Sequence, residues 1–514
     1  MKRQIVTLML IFACAHYFVA CLSYNNTTLT TAKIKGSVSL TNNAYISDVV
    51  LLNGIPVYFE KKGQFIDTVG KIFSGIVAQD AFSSRRVSIP LDSILYCHYK
   101  SVNAGSTVLT FLSAVLVVGL AVFIVALAAK QCCPFIYSYD GNQYVFDAEP
   151  LGGAVCEGLE RTDLSPLHQL REVDGEYRLM VRNEVPETQH LDEMKLVVVD
   201  HDPSTEVVPD PFGRLHLLHP PVAPSRATLD RTSNILPFLM KRDQINWQTN
   251  MNQYGSTESD RHEIRLTFPM PKDTSHSRLV VNMGTAIWGS KMIKEMLLLR
   301  GDSVVRWYNS VNHHGDELLK MGNFVLREEL YLLKVKVLVA GKWVDRQIIP
   351  ATGPFITEDR TVTLDLSGIT GDSVEIKLEP PRGFWQIDYI GLTSGSDSII
   401  SDPTVLSMAT AESSTGADTK NILAQSDSIR YDMPDVGDWF KMSFKSPPLK
   451  AGTVRSLFMK TRGYYDIHLP SGNPENTNKI SEILKNKGEI LKYSKSQFNA
   501  MKNTNQTEVL HLNH

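Results

Sequence analysis

Residues 107–129, TVLTFLSAVLVVGLAVFIVALAA, run for twenty-three positions without a charge. A helix needs about 20 apolar residues to cross the hydrocarbon core of a bilayer, so this run is long enough. We expect a hydrophobic membrane helix here. The alternative is a helix or strand pair buried in a soluble core. Ser113, Ala114, Gly119 and Ala121 are small enough to let a partner helix come close. Lys100 lies before the run and Lys130 after it, so flanking charge gives it no orientation.

A second apolar run opens the chain. Lys2 and Arg3 precede the stretch Ile5 to Ala20, which ends at Phe18-Val19-Ala20-Cys21. A charged start followed by an apolar run is the layout of an export signal. The last four residues resemble the lipobox of bacterial lipoproteins, where a small residue precedes the cysteine that receives the lipid. That resemblance implies lipidation of Cys21 within a signal peptide spanning residues 1–21. Phe18 stands where Leu is usual, and Cys14 also follows an alanine. A plainly cleaved signal and an uncleaved anchor helix are the alternatives. The polar residues 23–31 are expected to form a tether. If Cys21 is lipidated outside and 107–129 crosses once, the remainder faces the cytoplasm. A monotopic or re-entrant segment would keep it exported.

A chain of 514 residues exceeds one core, which predicts two to four domains. The 52 basic and 55 acidic residues leave a net charge of -3, without the basic face that nucleic acid requires. The 32 glycines and 25 prolines fall largely between alternating apolar runs, the pattern of a β-rich protein. Residues 32–100 read as a small β-barrel-like module. Its strand-like runs are 37–40, 48–52, 57–59, 72–77 and 87–89, with a hairpin signal at Asn53-Gly54. The last run, Ser93 to Tyr99, leads almost directly into the apolar segment.

After that segment comes CPFIYSYDGNQYVFDAEP, residues 133–150. An aromatic alternation, an Asp-Gly turn and a second alternation predict a hairpin with a ring-rich face. Those rings are expected to be buried, with the hairpin in the core sheet. The segment resembles one in uncharacterised bacterial envelope (lipo)proteins, where it follows a short hydrophobic stretch. The likeness extends more weakly through Lys195–His201, Gly383–Asp388 and Gly463–Tyr465. It implies a place in the bacterial cell envelope and carries no activity. Asp140, Asp147 and Glu149 could chelate a cation, but they lack the spacing of a calcium loop, and hairpin-turn and edge positions explain them better.

From Glu176 onward strands alternate with turns, which predicts β-sandwich modules over 133–393. The runs 362–367, 374–378 and 384–390 resemble the closing strands of galactose-binding-like jelly rolls. That likeness implies loop-borne aromatics as sugar contacts, with Trp288, Trp307, Tyr308 and Trp343 as candidates. Core packing is the competing role for each. One helix is expected at Ser290–Leu299. The Ser-, Thr-, Asp- and Gly-rich stretch 394–430 reads as a linker, 431–500 as a C-terminal β segment, and residues beyond 500 as a disordered tail.

Catalytic spacing is lacking: the chain holds no Walker loop, GxSxG elbow, HExxH or paired CxxC. His313-His314, His201-Asp202, His216 and His219 lack partners at ligand spacing, so neither a metal nor a cofactor is implied. Cys133 and Cys156 bracket the hairpin and could pair in an oxidising compartment, a free buried thiol being the alternative. The expectation is a membrane-associated envelope protein, more a binder than an enzyme, with noncatalytic modules for a glycan or a protein ligand. The alternatives are a hydrolase whose carboxylates come from separate strands and a membrane assembly scaffold subunit.

Overall fold

The computed structural model describes residues 24–30, 44–51, most of 56–102, and 134–511 apart from a few short breaks. Cys21, Cys133 and the whole apolar segment 107–129 therefore lie outside the described residues. Among those described, no helix is long and apolar enough to cross a membrane. The chain divides into two units, 1–127 and 128–514.

In the first unit, a four-stranded antiparallel sheet runs Tyr24–Thr30, Ile94–Val102, Ala44–Leu51, Pro56–Tyr58. A three-stranded sheet contains Phe65–Asp67, Ile72–Ala78 and Ser84–Pro90. Ile46, Val49, Phe73, Ile89 and Leu91 are fully buried, and Phe59 meets Phe73 edge-on at 4.8 Å. The stretch expected as a tether is instead a strand, since Tyr24–Thr30 pairs with Tyr96–Val102 along its whole length. Its Asn- and Thr-rich sequence suits an edge position, where polar side chains cost little.

In the second unit, Glu176–Arg182 alternates strictly between half-buried and buried positions, the mark of a strand with one covered face. It lies in a five-stranded sheet ordered Met408–Ser413, Trp439–Lys445, Glu176–Arg182, Phe135–Tyr139, Tyr144–Ala148. Facing it, Arg161–Pro166, Val454–Ile467, Glu187–His201 and Thr404–Leu406 form a second sheet, with Tyr431–Met433 also on Glu187–His201. Ile136, Leu179, Val181, Phe440, Met442 and Phe444 from one sheet share a core with Leu191, Met194, Leu196, Met459 and Tyr465 from the other.

A second pair of sheets follows. The six-stranded one runs Ser233–Asn234, Arg226–Leu229, Ile264–Pro269, Ser373–Leu378, Leu332–Val339, Lys342–Pro350. The four-stranded one runs Trp247–Gln248, Trp385–Thr393, Arg278–Thr285, Glu358–Thr363. Arg278–Thr285 and Trp385–Thr393 are buried along their full length, so their sheet is covered on both faces. One cover is a small sheet of Glu206–Pro209, Leu215–Leu218 and Asp397–Ile400. Its Val208 and Leu218 pack on Val280 and Tyr389, while Leu215 packs on Leu164, Val197 and Phe458 of the first pair. It is wedged between the two pairs.

Helices α1 (Ile287–Leu298), α2 (Val304–His313) and α3 (Gly315–Glu328) are inserted between two strands of the second pair; α4 (Thr477–Lys485) and α5 (Glu489–His511) follow the last strand. The helix expected at Ser290–Leu299 is α1. The other four escaped the sequence reading, and the tail expected to be disordered continues as α5 to His511.

Three further expectations need correction. The stretch read as a linker supplies Asp397–Ile400, Thr404–Leu406 and Met408–Ser413, each paired to a sheet of this unit. In Met408–Ser413 the outward positions Thr410 and Glu412 are polar, and that composition hides the pairing. Of residues 431–500, read as a β segment, the strands end at Ile467 and complete the first pair, while the rest carries α4 and the start of α5. The aromatic hairpin sits at a sheet edge, with Ile136 and Ala148 in the shared core. Its rings Phe135 and Tyr137 point the other way, packing with Val185, Phe355 and the half-buried Tyr144 and Phe146.

Candidate functional site

Loop and helix residues between the two sheet pairs enclose a cavity of about 610 Å³, within the range of small-ligand pockets. Helices contribute part of its wall: Met292, Ile293, Met296 and Leu297 from α1, Trp307 from α2, and Met321, Phe324 and Val325 from α3. Helix α3 is amphipathic, yet the only residue it buries fully is Glu328. Glu328 fixes the C-terminal end of α3 through Arg327 at 2.7 Å and the Gly488 amide at 3.0 Å. Midway along the helix, a Cβ on Gly322 would meet nothing within 4 Å.

Polar residues form a separate patch of the wall: Glu149, Arg161, Asp163, Glu358 and Arg360. Arg161 Nε donates to Asp163 at 2.8 Å, and the Leu151 amide donates to the same carboxylate at 2.7 Å. Arg360 Nη2 donates to Glu358 at 2.8 Å, joined by Ser165 at 3.2 Å and the Glu149 amide at 3.3 Å. Burial works against the charge of Asp163, and Arg161 outweighs it, holding that carboxyl below its usual range. Glu149 differs. Burial pushes its carboxyl well above the usual range, and Glu358 and Glu187 push the same way against the Phe355 amide. Its Oε2 accepts from that amide at 2.8 Å, while Oε1 is buried without a hydrogen bond. Three carboxyl groups thus converge on a deep cavity, as a dispersed hydrolase requires. Two of them are engaged by arginines, and burial raises the third above its usual range.

Of the aromatic candidates, only Trp307 lines the cavity, with the Arg300 guanidinium 4.4 Å from its ring. Trp288 donates to Ser494 at 2.9 Å and packs edge-on to Phe498, joining α1 to α5. Tyr308 lies 5.5 Å from Trp307, and its buried hydroxyl has no hydrogen-bond partner. Trp343 sits on an outer strand beside Arg265 and Lys377. The four aromatics do not form a common sugar platform.

Cys156 is a free, buried thiol that burial pushes up to about 11, and Cys133, its expected partner, lies outside the described residues. Asp140, Asp147 and Glu149 do not converge on a cation. Asp140 accepts from the Asn142 and Gln143 amides, and Asp147 from those of His168 and Gln169. Among the described residues, no group of three or more His, Cys, Asp or Glu is arranged to hold a metal. His313 and His314 each bond a backbone carbonyl one helical turn earlier.

One arrangement the sequence concealed has the order of a catalytic triad. Asp230 lies 2.9 Å from His262 Nδ1, and His262 Nε2 lies 3.2 Å from Thr249 Oγ1. Both His262 and Thr249 are 4% exposed, and Thr249 Oγ1 already accepts from the Gly383 amide. Arg382 also approaches His262 Nε2 at 3.2 Å. His262 and Thr249 are therefore engaged within the protein, while Asp230 at the end of the trio is exposed and also takes Arg382 Nη2 at 3.0 Å.

Comparison with known proteins finds no matching family and no matching curated protein.

Proposed function

We propose that the chain is a noncatalytic, membrane-held protein of the bacterial cell envelope that binds an apolar or amphipathic ligand, such as an acyl chain, in the cavity between its sheet pairs. The cavity wall carries this reading. Met292, Met296 and Met321 give it an adaptable apolar lining, and Arg161, Arg360 and Lys320 on its wall are each paired with a carboxylate of the same wall. A glycan needs many free hydrogen-bonding partners, and this wall offers few. The body is read as sandwich modules of jelly-roll type. In support, successive strands Ile264–Pro269, Arg278–Thr285, Leu332–Val339, Glu358–Thr363, Ser373–Leu378 and Trp385–Thr393 alternate between the two sheets of the second pair, apart from one hairpin.

Membrane attachment rests on the lipobox-like Phe18–Cys21, on segment 107–129, and on the likeness of residues 133–150 to envelope proteins. Replacing Cys21 by Ser should abolish incorporation of a labelled fatty acid into the chain. Undiminished labelling would remove Cys21 as the anchor.

Gly322→Leu tests the cavity. Leucine fits helix α3 better than glycine by about 1 kcal/mol, so the variant should melt no lower than the parent. Its side chain would occupy cavity space, and affinity for a fluorescent fatty acid should fall by about tenfold or more, or roughly 1.4 kcal/mol. Full affinity in a well-folded variant would place the ligand elsewhere.

A further inference from the structure

Of the exposed large hydrophobic side chains among the described residues, Phe212 is the barest. Phe212 is 83% exposed at the tip between Glu206–Pro209 and Leu215–Leu218. The turn beneath it is tightly built. Asp210, itself 3% exposed, accepts from the Phe212 amide at 2.9 Å and the Arg214 amide at 3.0 Å. Its other oxygen takes Arg214 Nε at 2.7 Å and faces His216 Nε2 at 3.1 Å. The Arg214 guanidinium lies 5.5 Å from the Phe212 ring. Pro211 and Phe212 both border the cavity.

A second observation comes from where the chain enters this unit. Five residue steps separate Ala129, the end of the apolar segment, from Pro134. Fully extended, they span at most roughly 18 Å. The next residue, Phe135, packs its ring 5.6 Å from Phe355, whose neighbour Pro354 lines the cavity. If 107–129 enters a bilayer, the cavity wall near Phe355 lies close to that bilayer.

We propose that the turn Asp210–Gly213 is a membrane-contact tip that places Phe212 in the headgroup layer of a phospholipid surface, so that a lipid chain passes from the bilayer into the adjoining cavity. An aromatic ring flanked by a guanidinium suits that layer, with the ring meeting acyl chains and the cation meeting phosphates. The fixed turn adds to this, since no ordering cost is paid on contact. This inference rests on the apolar-ligand reading above and adds the source of the ligand.

The test uses the full chain reconstituted into phosphatidylcholine vesicles containing a trace of phospholipid with a diazirine in its acyl chain. After irradiation, crosslinked peptides are mapped by mass spectrometry. Crosslinks are expected within residues 209–215 and on cavity residues such as Met296 and Met321. Phe212→Ser should lower labelling of the cavity peptides by about tenfold, the scale expected for withdrawing one buried ring. Ile429→Ser removes an exposed apolar residue that does not line the cavity, and it should leave both labels unchanged. A wild-type tip without crosslinks, or a Phe212→Ser cavity labelled at the wild-type level, overturns the docking. If fatty acid still binds in either case, the apolar-ligand reading survives. If neither fatty acid nor lipid label enters the wild-type cavity, that reading falls and takes this inference with it.

Discussion

Phe440→Ala should destabilise the body by about 3–5 kcal/mol, the usual cost of truncating a fully buried phenylalanine. Phe440 is wholly buried in the core shared by the first sheet pair, paired with Val181 and touching Tyr431 edge-on at 5.3 Å. The cost is a large part of the ~5–15 kcal/mol that holds a typical domain together. Phe146→Ala should cost less, on the order of 1–2 kcal/mol, because that ring is half-buried on the outer face of the same sheet. Asn142→Ala, at the exposed hairpin turn, should stay within about 0.5 kcal/mol. Urea unfolding followed by circular dichroism would rank the three. If Phe146→Ala proves as costly as Phe440→Ala, the hairpin rings carry core weight that their packing does not show.

The hairpin illustrates where sequence reading succeeds and where it stops. Period-two alternation located both strands, and Asp-Gly located the turn, because both signals are local. Which face turns inward is decided by what lies across the sheet, here Leu191, Met194 and Leu196 from a strand fifty residues away in sequence, together with Met459 and Tyr465 from much later still. Alternation alone is equally consistent with either choice. Rings are larger than Ile136 and Ala148, so they suggested the core. The shared core instead takes the smaller side chains, and the rings form their own layer with Phe355.

The same limit hid the cavity. Helix α3 has the spacing of an amphipathic helix, but its apolar face reads as ordinary core until its half-burial is seen. The polar patch draws Glu149 from the hairpin, Arg161 and Asp163 from the next strand, and Glu358 and Arg360 from two hundred residues on. No spacing rule links such positions. The strand at Met408–Ser413 was missed for the opposite reason. Its alternation is present, but its outward Thr410 and Glu412 and the glycines nearby resemble a linker.

Glu149→Gln should remove one pH-dependent component of stability and leave the protein more stable than the parent at pH 8. The carboxyl is 1% exposed, one of its oxygens lacks a partner, and burial lifts it well above its ordinary value of 4.5. Below that value the folded and unfolded chains both hold the proton. As pH rises past it, the unfolded chain releases the proton while the folded chain retains it. The folded state then binds more protons, so stability falls with pH until the raised value is passed, by about 1.4 kcal/mol per unit between the two. Glutamine cannot titrate, yet its carbonyl can still accept from the Phe355 amide, and its NH2 group can serve the carboxylates nearby. The stability gap between variant and parent should therefore be small at pH 4 and widen towards neutrality. Melting curves at pH 4 to 8 would show it, and parallel curves would mean that Glu149 is already ionised in the folded protein. Because the Glu149–Phe355 bond ties the hairpin to the loop carrying Pro354, the parent should loosen first at this seam of the cavity as the pH rises. The Phe355 amide should then exchange with solvent faster at pH 8 in the parent than in the variant.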